Sequence, residues 1–278
     1  MPLEIMLVVL LSALLHASWN ALVRASGDKF RSTLLVVSGA GAMSLLLLPA
    51  LPLPAAPSWP YLIASGLIHV VYFALVALSY HNAGLSFAYP VMRGASPVMA
   101  ALAAIVLLGE APSAAGWVGI ALICGGVLVL AGAAWRSVRP AAVGFALGNA
   151  CVIAAYTLLD GQGARLSGHA LSYTAWVFLI TALLMPGLAL AWRGRVVLQP
   201  GPGAWRTALF GGVGTLAAYS LVLWAMTRAP IASVAALRET SIVFAALLGV
   251  LFLKERLSRL RLASILMVCA GAVAIKLG

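Results

Sequence analysis

The sequence predicts an all-α integral membrane protein with ten transmembrane helices, arranged as two inverted five-helix repeats around a central cavity. Three observations lead to this prediction. The 278-residue chain is 64% apolar and 8% charged, whereas soluble domains are about half apolar and a quarter charged. Its apolar residues form long runs separated by short polar or Pro/Gly breaks. One set of residues also recurs at a constant offset along the chain.

The apolar runs are long enough to cross a bilayer core of about 30 Å. Each run must be helical, because unpaired backbone amides are not tolerated in lipid. The N-terminus lacks the basic region and the cleavage site of a secretory signal, so we expect the first run to remain as a spanning helix. The ten expected spans are 3–23, 32–50, 60–80, 86–108, 113–133, 141–159, 171–192, 206–227, 230–253 and 259–277.

An offset of 145 residues (238 − 93) relates the two halves of the chain. The recurring pairs are Arg93 and Arg238, Ser96 and Ser241, Cys124 and Cys269, and Gly126 and Gly271. We therefore expect a first repeat at 1–135 and a second at 136–278, both within one membrane domain. Because five spans is an odd number, the second repeat would lie inverted in the membrane. Inverted repeats are typical of secondary transporters whose site lies at the midplane between the halves.

The net charge of +11 comes from 17 Lys and Arg residues against 6 Asp and Glu residues. These basic residues lie singly between apolar runs, which argues against a nucleic-acid partner. They are concentrated in the loops that follow odd-numbered spans, and this places those loops in the cytoplasm and both termini outside. The chain contains no phosphate-binding loop, metal-ligand cluster or nucleophile motif. We therefore expect no metal, no cofactor and no enzymatic activity.

Two arginines, Arg93 and Arg238, mark the candidate site. Arg93 is the eighth residue of its span and Arg238 the ninth, so each lies about 11–12 Å from the start of its helix, near the bilayer centre. An ionisable group at this depth faces a partner or a wet cavity, and the planar guanidinium matches carboxylate or phosphonate oxygens. The alternative is a structural ion pair with Glu239. That carboxylate could instead hold a substrate amine or carry a coupling proton.

Polar and aromatic residues at the same depth are expected to line the cavity or to form hydrogen bonds that only fix packing. His16, Trp19 and Asn20 share one face of the first span, at positions i, i+3 and i+4. In the sixth helix, Tyr156 and Asp160 lie on one side. We interpret Asp160 as a cap at a helix interface. The other candidate substrate-binding residues are His69, Tyr72, Tyr89, Ser96, Tyr219 and Ser241.

Helix ends and bends supply the remaining predictions. Pro97 lies four residues after Arg93 and disrupts the hydrogen bond to its carbonyl. It is therefore a candidate hinge, or a purely architectural kink. Glu110 and Glu255 end the fourth and ninth spans and are expected to close helical hairpins. The residues expected to cap the following helices are Ser113 and Ser258.

The duplicated segments resemble the drug/metabolite transporter superfamily, and within it the ten-helix EamA-type branch. They read AYPVMRGASPVMAALAAIVLLGEA at 88–111 and ASVAALRETSIVFAALLGVLFLKER at 232–256. The resemblance implies a secondary carrier with a central cavity that exports or imports small metabolites such as amino acids. Intramembrane arginine is not general in that branch, so the cargo is expected to differ. Residues 16–20, His-Ala-Ser-Trp-Asn, also look like members associated with phosphonate utilisation.

The function predicted first is a secondary active transporter of small anionic or zwitterionic metabolites, of the amino acid or aminophosphonate class, working by alternating access. A translocase of a polyprenyl-phosphate or lipid-linked headgroup is the alternative, and a membrane scaffold or intramembrane enzyme is a third. The expected partners are a small-molecule substrate, the lipid bilayer and a coupling proton. We expect a monomer in a bacterial-type inner (plasma) membrane.

Overall fold

The computed structural model describes residues 1–83, 85–132, 138–199, 201, 203–254 and 257–278. The first half contains α1 Leu3–Ala25, α2 Lys29–Leu47, α3 Trp59–Ala83, α4 Leu85–Leu108 and α5 Ala114–Val129. The second half contains α6 Pro140–Ser167, α7 Ala170–Arg193, α8 Ala204–Arg206, α9 Gly212–Met226, α10 Ile231–Arg238, α11 Ser241–Leu253 and α12 Arg259–Leu277. Helix therefore accounts for the regular structure of the described residues.

The predicted fold class is confirmed. Within the described part of the chain, nine helical segments are long and apolar enough to cross a membrane, and α5 is a shorter apolar helix. A π-helical turn at Thr207–Gly211 joins α8 to α9 within the eighth span. The ninth span consists of α10 and α11. The predicted boundary between the repeats and the end of the fifth span fall at 133–137, outside the described residues, as does Glu255.

The predicted end of the sixth span is wrong. This span was expected to end at residue 159, but α6 continues to Ser167, and Gly168, with a φ of 74°, caps its C-terminus. Close packing explains the difference: a Cβ on Gly161 would lie 2.6 Å from Ile231, and a Cβ on Gly163 would lie 2.3 Å from the Tyr173 hydroxyl. Both glycines therefore serve helix packing, not a turn.

The fourth and ninth spans, which the duplication relates, differ in continuity. Helix α4 runs unbroken although it contains Pro97, whose hinge role remains a prediction. The ninth span is interrupted instead, because the N–H of Glu239 bonds the carbonyl of Ala236 at 2.9 Å in a tightened turn. This interruption separates the environments of two neighbouring charged residues, Arg238 and Glu239.

Helices α5 and α12 pack closely through small residues. A Cβ on Gly119 would lie 2.7 Å from the carbonyl oxygen of Gly271, and the reverse distance is also 2.7 Å. At their N-termini, Ser113 accepts a hydrogen bond from the N–H of Gly116 and Ser258 accepts one from that of Arg261. The predicted helix caps are thus confirmed. Helices α5 and α12 therefore form a closely packed pair.

We predict that Gly271→Ala destabilises the protein. The added methyl group would contact the backbone of α5, and overpacking of this kind costs about 1–3 kcal/mol. Gly144→Ala in α6 is the matched control, because a Cβ there meets nothing within 4 Å. Thermal unfolding in detergent should therefore shift downward for Gly271→Ala alone. Equal midpoints for the two variants would contradict close packing at this interface.

Candidate functional site

A cavity of about 2070 Å³ lies between the two halves of the bundle. Its wall contains most of the candidate residues from the sequence. They are His16, Trp19, Asn20, His69, Tyr72, Tyr89, Arg93, Tyr156, Tyr219, Arg238 and Ser241. Three other candidates, Ser96, Pro97 and Glu239, are buried in the helices and are not part of the cavity wall. The structure therefore brings both arginines to one volume.

Arg93 and Glu239 form a buried ion pair between the halves. The Arg93 Nε donates a hydrogen bond to Glu239 Oε2 at 2.9 Å, and Nη2 lies 2.8 Å from Oε1. The two side chains are 7% and 2% exposed. Such a contact compensates both charges at a depth where neither is tolerated alone. The structural ion pair considered from the sequence is therefore present for Arg93.

Arg238 is in a different situation. Its guanidinium lines the cavity and the residue is 7% exposed, yet its buried Nε has no hydrogen-bond partner. Within the described ranges it also forms no ion pair. The indole Nε1 of Trp19, another residue of the cavity wall, is likewise buried and without a partner. Among the described residues of the cavity wall, Arg238 is thus a buried cation outside any ion pair, and Trp19 supplies a second N–H donor without a partner.

Aromatic rings form one side of the cavity. His69 stacks on Tyr156 with centroids 4.7 Å apart, and Tyr72 meets Tyr156 edge-on at 5.6 Å. On α1, His16 and Trp19 pack in a T-shaped pair at 5.2 Å. Ring faces of this kind attract cations. The cavity therefore offers a guanidinium group, which attracts an anionic group of a ligand, and ring faces, which attract a cationic group.

Sequence reasoning missed the contribution of α7 to the wall. Phe178 and Thr181 line the cavity, as does Thr215 of α9. Phe178 also meets Tyr219 edge-on at 5.8 Å. None of the three carries a charge or breaks the apolar pattern of its span. Only the packing of the helices could reveal them.

One end of the cavity opens between charged, exposed residues. Asp28 and Lys29 at the start of α2 line it together with Arg193 at the end of α7. Arg193 Nη1 lies 2.7 Å from Asp28 Oδ2. Partial burial alone would raise the pKa of Asp28, but the N–H of Arg31 and the Arg193 guanidinium outweigh it and lower the pKa. This pair therefore holds at neutral pH and is lost on acidification, and its exposure keeps its contribution small.

The opposite end is closed by hydrogen bonds from Arg165 of α6. Its Nε donates to the carbonyl of Met226 at 2.7 Å, and its Nη2 donates to that of Ala229 at 3.0 Å. Nη1 pairs with Glu110. The other Glu110 oxygen accepts the N–H of Ile231 at 3.3 Å. Glu110 was expected to interact with the helix that follows it, but its partners are α6 and the N-terminus of α10, because these elements converge at this end.

A second layer of contacts lies between this cluster and the cavity. Asp160 is fully buried and accepts hydrogen bonds from the hydroxyls of Tyr173 and Tyr219. These contacts join α6, α7 and α9. The expected role of Asp160 as an interface cap agrees with this geometry, whereas Tyr173 was not singled out from the sequence.

The sequence signature of the EamA-like transporter family matches residues 3–132 and 140–277. The chain belongs to this family. It is also 26% identical over 203 residues to the uncharacterized transporter YwfM of Bacillus subtilis strain 168, over 72% of this chain and 68% of that protein. A solved crystal structure shares the fold at a TM-score of 0.81 and 20% identity, covering 100% of this chain and 98% of that one.

The EamA assignment makes the protein a multi-pass membrane transporter, with a small-molecule substrate and the lipid bilayer as its partners. It confirms the resemblance found in the sequence. It is also compatible with the expectation that the chain is not an enzyme. The family signature matches once in each half, on either side of residues 133–139.

We predict that Glu239→Gln destabilises the protein by about 3–5 kcal/mol, because it leaves Arg93 buried without its counter-charge. The double variant Arg93→Gln/Glu239→Gln should lose less stability than the sum of the two single variants. Chemical unfolding in detergent measures this coupling, with the exposed Glu4→Gln as the control. Additive losses would mean that the contact contributes nothing specific.

Proposed function

We propose that this EamA-family protein is a secondary active transporter of small zwitterionic or anionic metabolites, of the amino acid or aminophosphonate class. The observation that carries the proposal is Arg238. A buried guanidinium without a counter-charge is costly unless a ligand supplies one. A carboxylate or phosphonate group entering the cavity would do so, and it would also provide acceptors for the unused donors.

The aromatic wall supports an amino group as the other end of the substrate. Glu239 is engaged by Arg93, so it does not supply a free carboxylate to the cavity. A substrate ammonium would then lie against the rings of Tyr72, Tyr156 and His69, where cation–π attraction is about 0.5–2 kcal/mol. Among the buried lining residues that the structure describes, a single cation outside an ion pair and an aromatic surface favour a zwitterion over a dicarboxylate.

Alternating access is supported by the difference between the two ends of the cavity. The open end lies at loops that follow odd-numbered spans, which the distribution of basic residues assigns to the cytoplasm. The conformation is therefore interpreted as open to the inside and closed to the outside. Because residues from both halves complete the wall, a monomer in a bacterial-type plasma membrane can carry out transport.

The test is ligand-dependent thermal unfolding of the purified protein. The probes are L-alanine, 2-aminoethylphosphonate, succinate and a polyprenyl phosphate. A ligand at a hundred times its dissociation constant adds about 2.7 kcal/mol of apparent stability. We expect stabilisation by a zwitterionic probe. Stabilisation by the polyprenyl phosphate alone would favour the translocase instead.

We predict that Arg238→Gln weakens binding of the stabilising probe about tenfold or more, because a hydrogen bond to a charged group is lost. Arg206→Gln is the matched control, since Arg206 is exposed on α8 and packs over the ring of Trp205. Binding should be unchanged in this control. Equal affinities of the parent protein and Arg238→Gln would exclude Arg238 as the anion-binding group.

A further inference from the structure

Asp160 is a buried carboxyl group whose described hydrogen-bond partners are all hydroxyl groups. It is 0% exposed. The Tyr173 hydroxyl donates to Oδ1 at 3.1 Å, the Tyr219 hydroxyl donates to Oδ2, and the Ser65 side chain also interacts with the carboxylate. In the residues that the structure covers, no Lys or Arg forms an ion pair with it. Its charge is therefore not fixed by a cation.

The other carboxylates with assigned partners differ in this respect. Glu239 is held by Arg93, Glu110 by Arg165, and Asp28 is paired at the exposed mouth. Adding a proton to Glu239 would leave Arg93 buried and uncompensated, at a cost of several kcal/mol. Asp160 can gain or lose a proton without leaving a buried cation unpaired.

From these contacts we propose that Asp160 is the site that binds and releases a coupling proton during transport. The inference rests on the proposed transport function and extends it. It also replaces Glu239, the carboxylate that the sequence suggested for this role. The carboxylate and the proton form a neutral carboxylic acid, and no other bond changes.

The titratable groups that interact with Asp160 come from α3, α7 and α9. His69 of α3 is the nearest titratable base, and Tyr173 and Tyr219 approach from α7 and α9. Helix α10 contributes an apolar contact, Ile231 against Gly161. The charges and hydroxyls at the next distance surround the two tyrosines: Tyr61 beside Tyr173, and Tyr156 and Arg238 beside Tyr219.

A short chain of groups joins Asp160 to the cavity. His69 lines the cavity, and its Nδ1 lies 2.8 Å from the carbonyl of Ser65 and 3.3 Å from the Ser65 hydroxyl. Since a carbonyl oxygen only accepts, Nδ1 donates the hydrogen bond to Ser65. Ser65 therefore connects the His69 ring at the cavity wall to Asp160, and a proton that enters from the cavity follows these groups to the carboxylate.

The position of Asp160 links the proton to the conformation. Its two tyrosine contacts tie α6 to α7 and α9 next to the closed end, and Tyr219 also lines the cavity. Hydrogen bonds to a carboxylate are stronger than those to a neutral acid. Protonation therefore loosens this layer and favours opening at that end, while release of the proton tightens it again.

The first test uses infrared difference spectroscopy of the full chain in detergent over a pH titration. A protonated buried carboxyl group has a carbonyl stretch distinct from that of a carboxylate. We expect a titrating band that is absent in Asp160→Asn and present in Glu4→Gln, the exposed control. No such band in the parent protein, or its persistence in Asp160→Asn, would overturn the proposal.

The Ser65→Ala variant keeps the assignment testable if Asp160→Asn does not fold. It retains the carboxyl group and both tyrosine contacts but removes the connection to His69. The band should remain, and its hydrogen–deuterium exchange should slow about tenfold or more, since the relay hydroxyl contributes to proton transfer. Exchange at the parental rate would exclude this route.

The second test uses proteoliposomes with labelled L-alanine and 2-aminoethylphosphonate. For one proton per substrate, a pH difference of one unit sustains about a tenfold accumulation. Asp160→Asn should abolish accumulation but retain counterflow exchange. Accumulation at the parental level in this variant overturns the proton site and leaves the transporter intact. Failure of the parent protein to exchange either probe counts against the proposed function, and the infrared band then decides the proton site by itself.

Discussion

The buried ion pair between Arg93 and Glu239 is the contact on which the arrangement of the bundle depends. It ties the unbroken helix α4 to the interruption between α10 and α11, and so connects the two halves at the depth of the cavity. A charge at this depth needs a partner. Because Glu239 serves Arg93, its neighbour Arg238 remains available to the cavity. The pairing of one carboxylate with one of two arginines thus leaves Arg238, the arginine that we propose binds the substrate, outside an ion pair.

The sequence was sufficient to predict the fold class, and most of the candidate residues that it indicated do lie in the cavity wall. Long apolar runs, loop charges and the offset between Arg93 and Arg238 are local or periodic signals. Each can be recognised in the sequence without knowing how the helices pack. The pairing of Glu239 with Arg93 was one of several open alternatives, because adjacent residues on an ideal helix diverge by about 100° and several partners fit. The turn that separates Arg238 from Glu239 carries no proline or glycine that would have marked it.

The contacts at the closed end of the cavity were the hardest part of the structure to predict from the sequence. Gly161 and Gly163 resemble a loop, and only the close approach of Ile231 and Tyr173 explains why they are helical. Arg165 consequently reaches carbonyl groups at the end of α9, far away in the chain. Helix ends expose such acceptors, and a single guanidinium can satisfy several of them. Tertiary contact, not local pattern, creates this cluster.

The two halves are related by duplication but are not equivalent, since α4 is continuous while its counterpart is divided into α10 and α11. In a perfectly symmetric inverted repeat, the states open to either side would be mirror images of equal free energy. Under the proposed alternating access, an intact helix and a broken one would exchange roles when the cavity changes sides. The two states would then differ in free energy, and a substrate should show unequal apparent affinities when presented from opposite faces of the membrane.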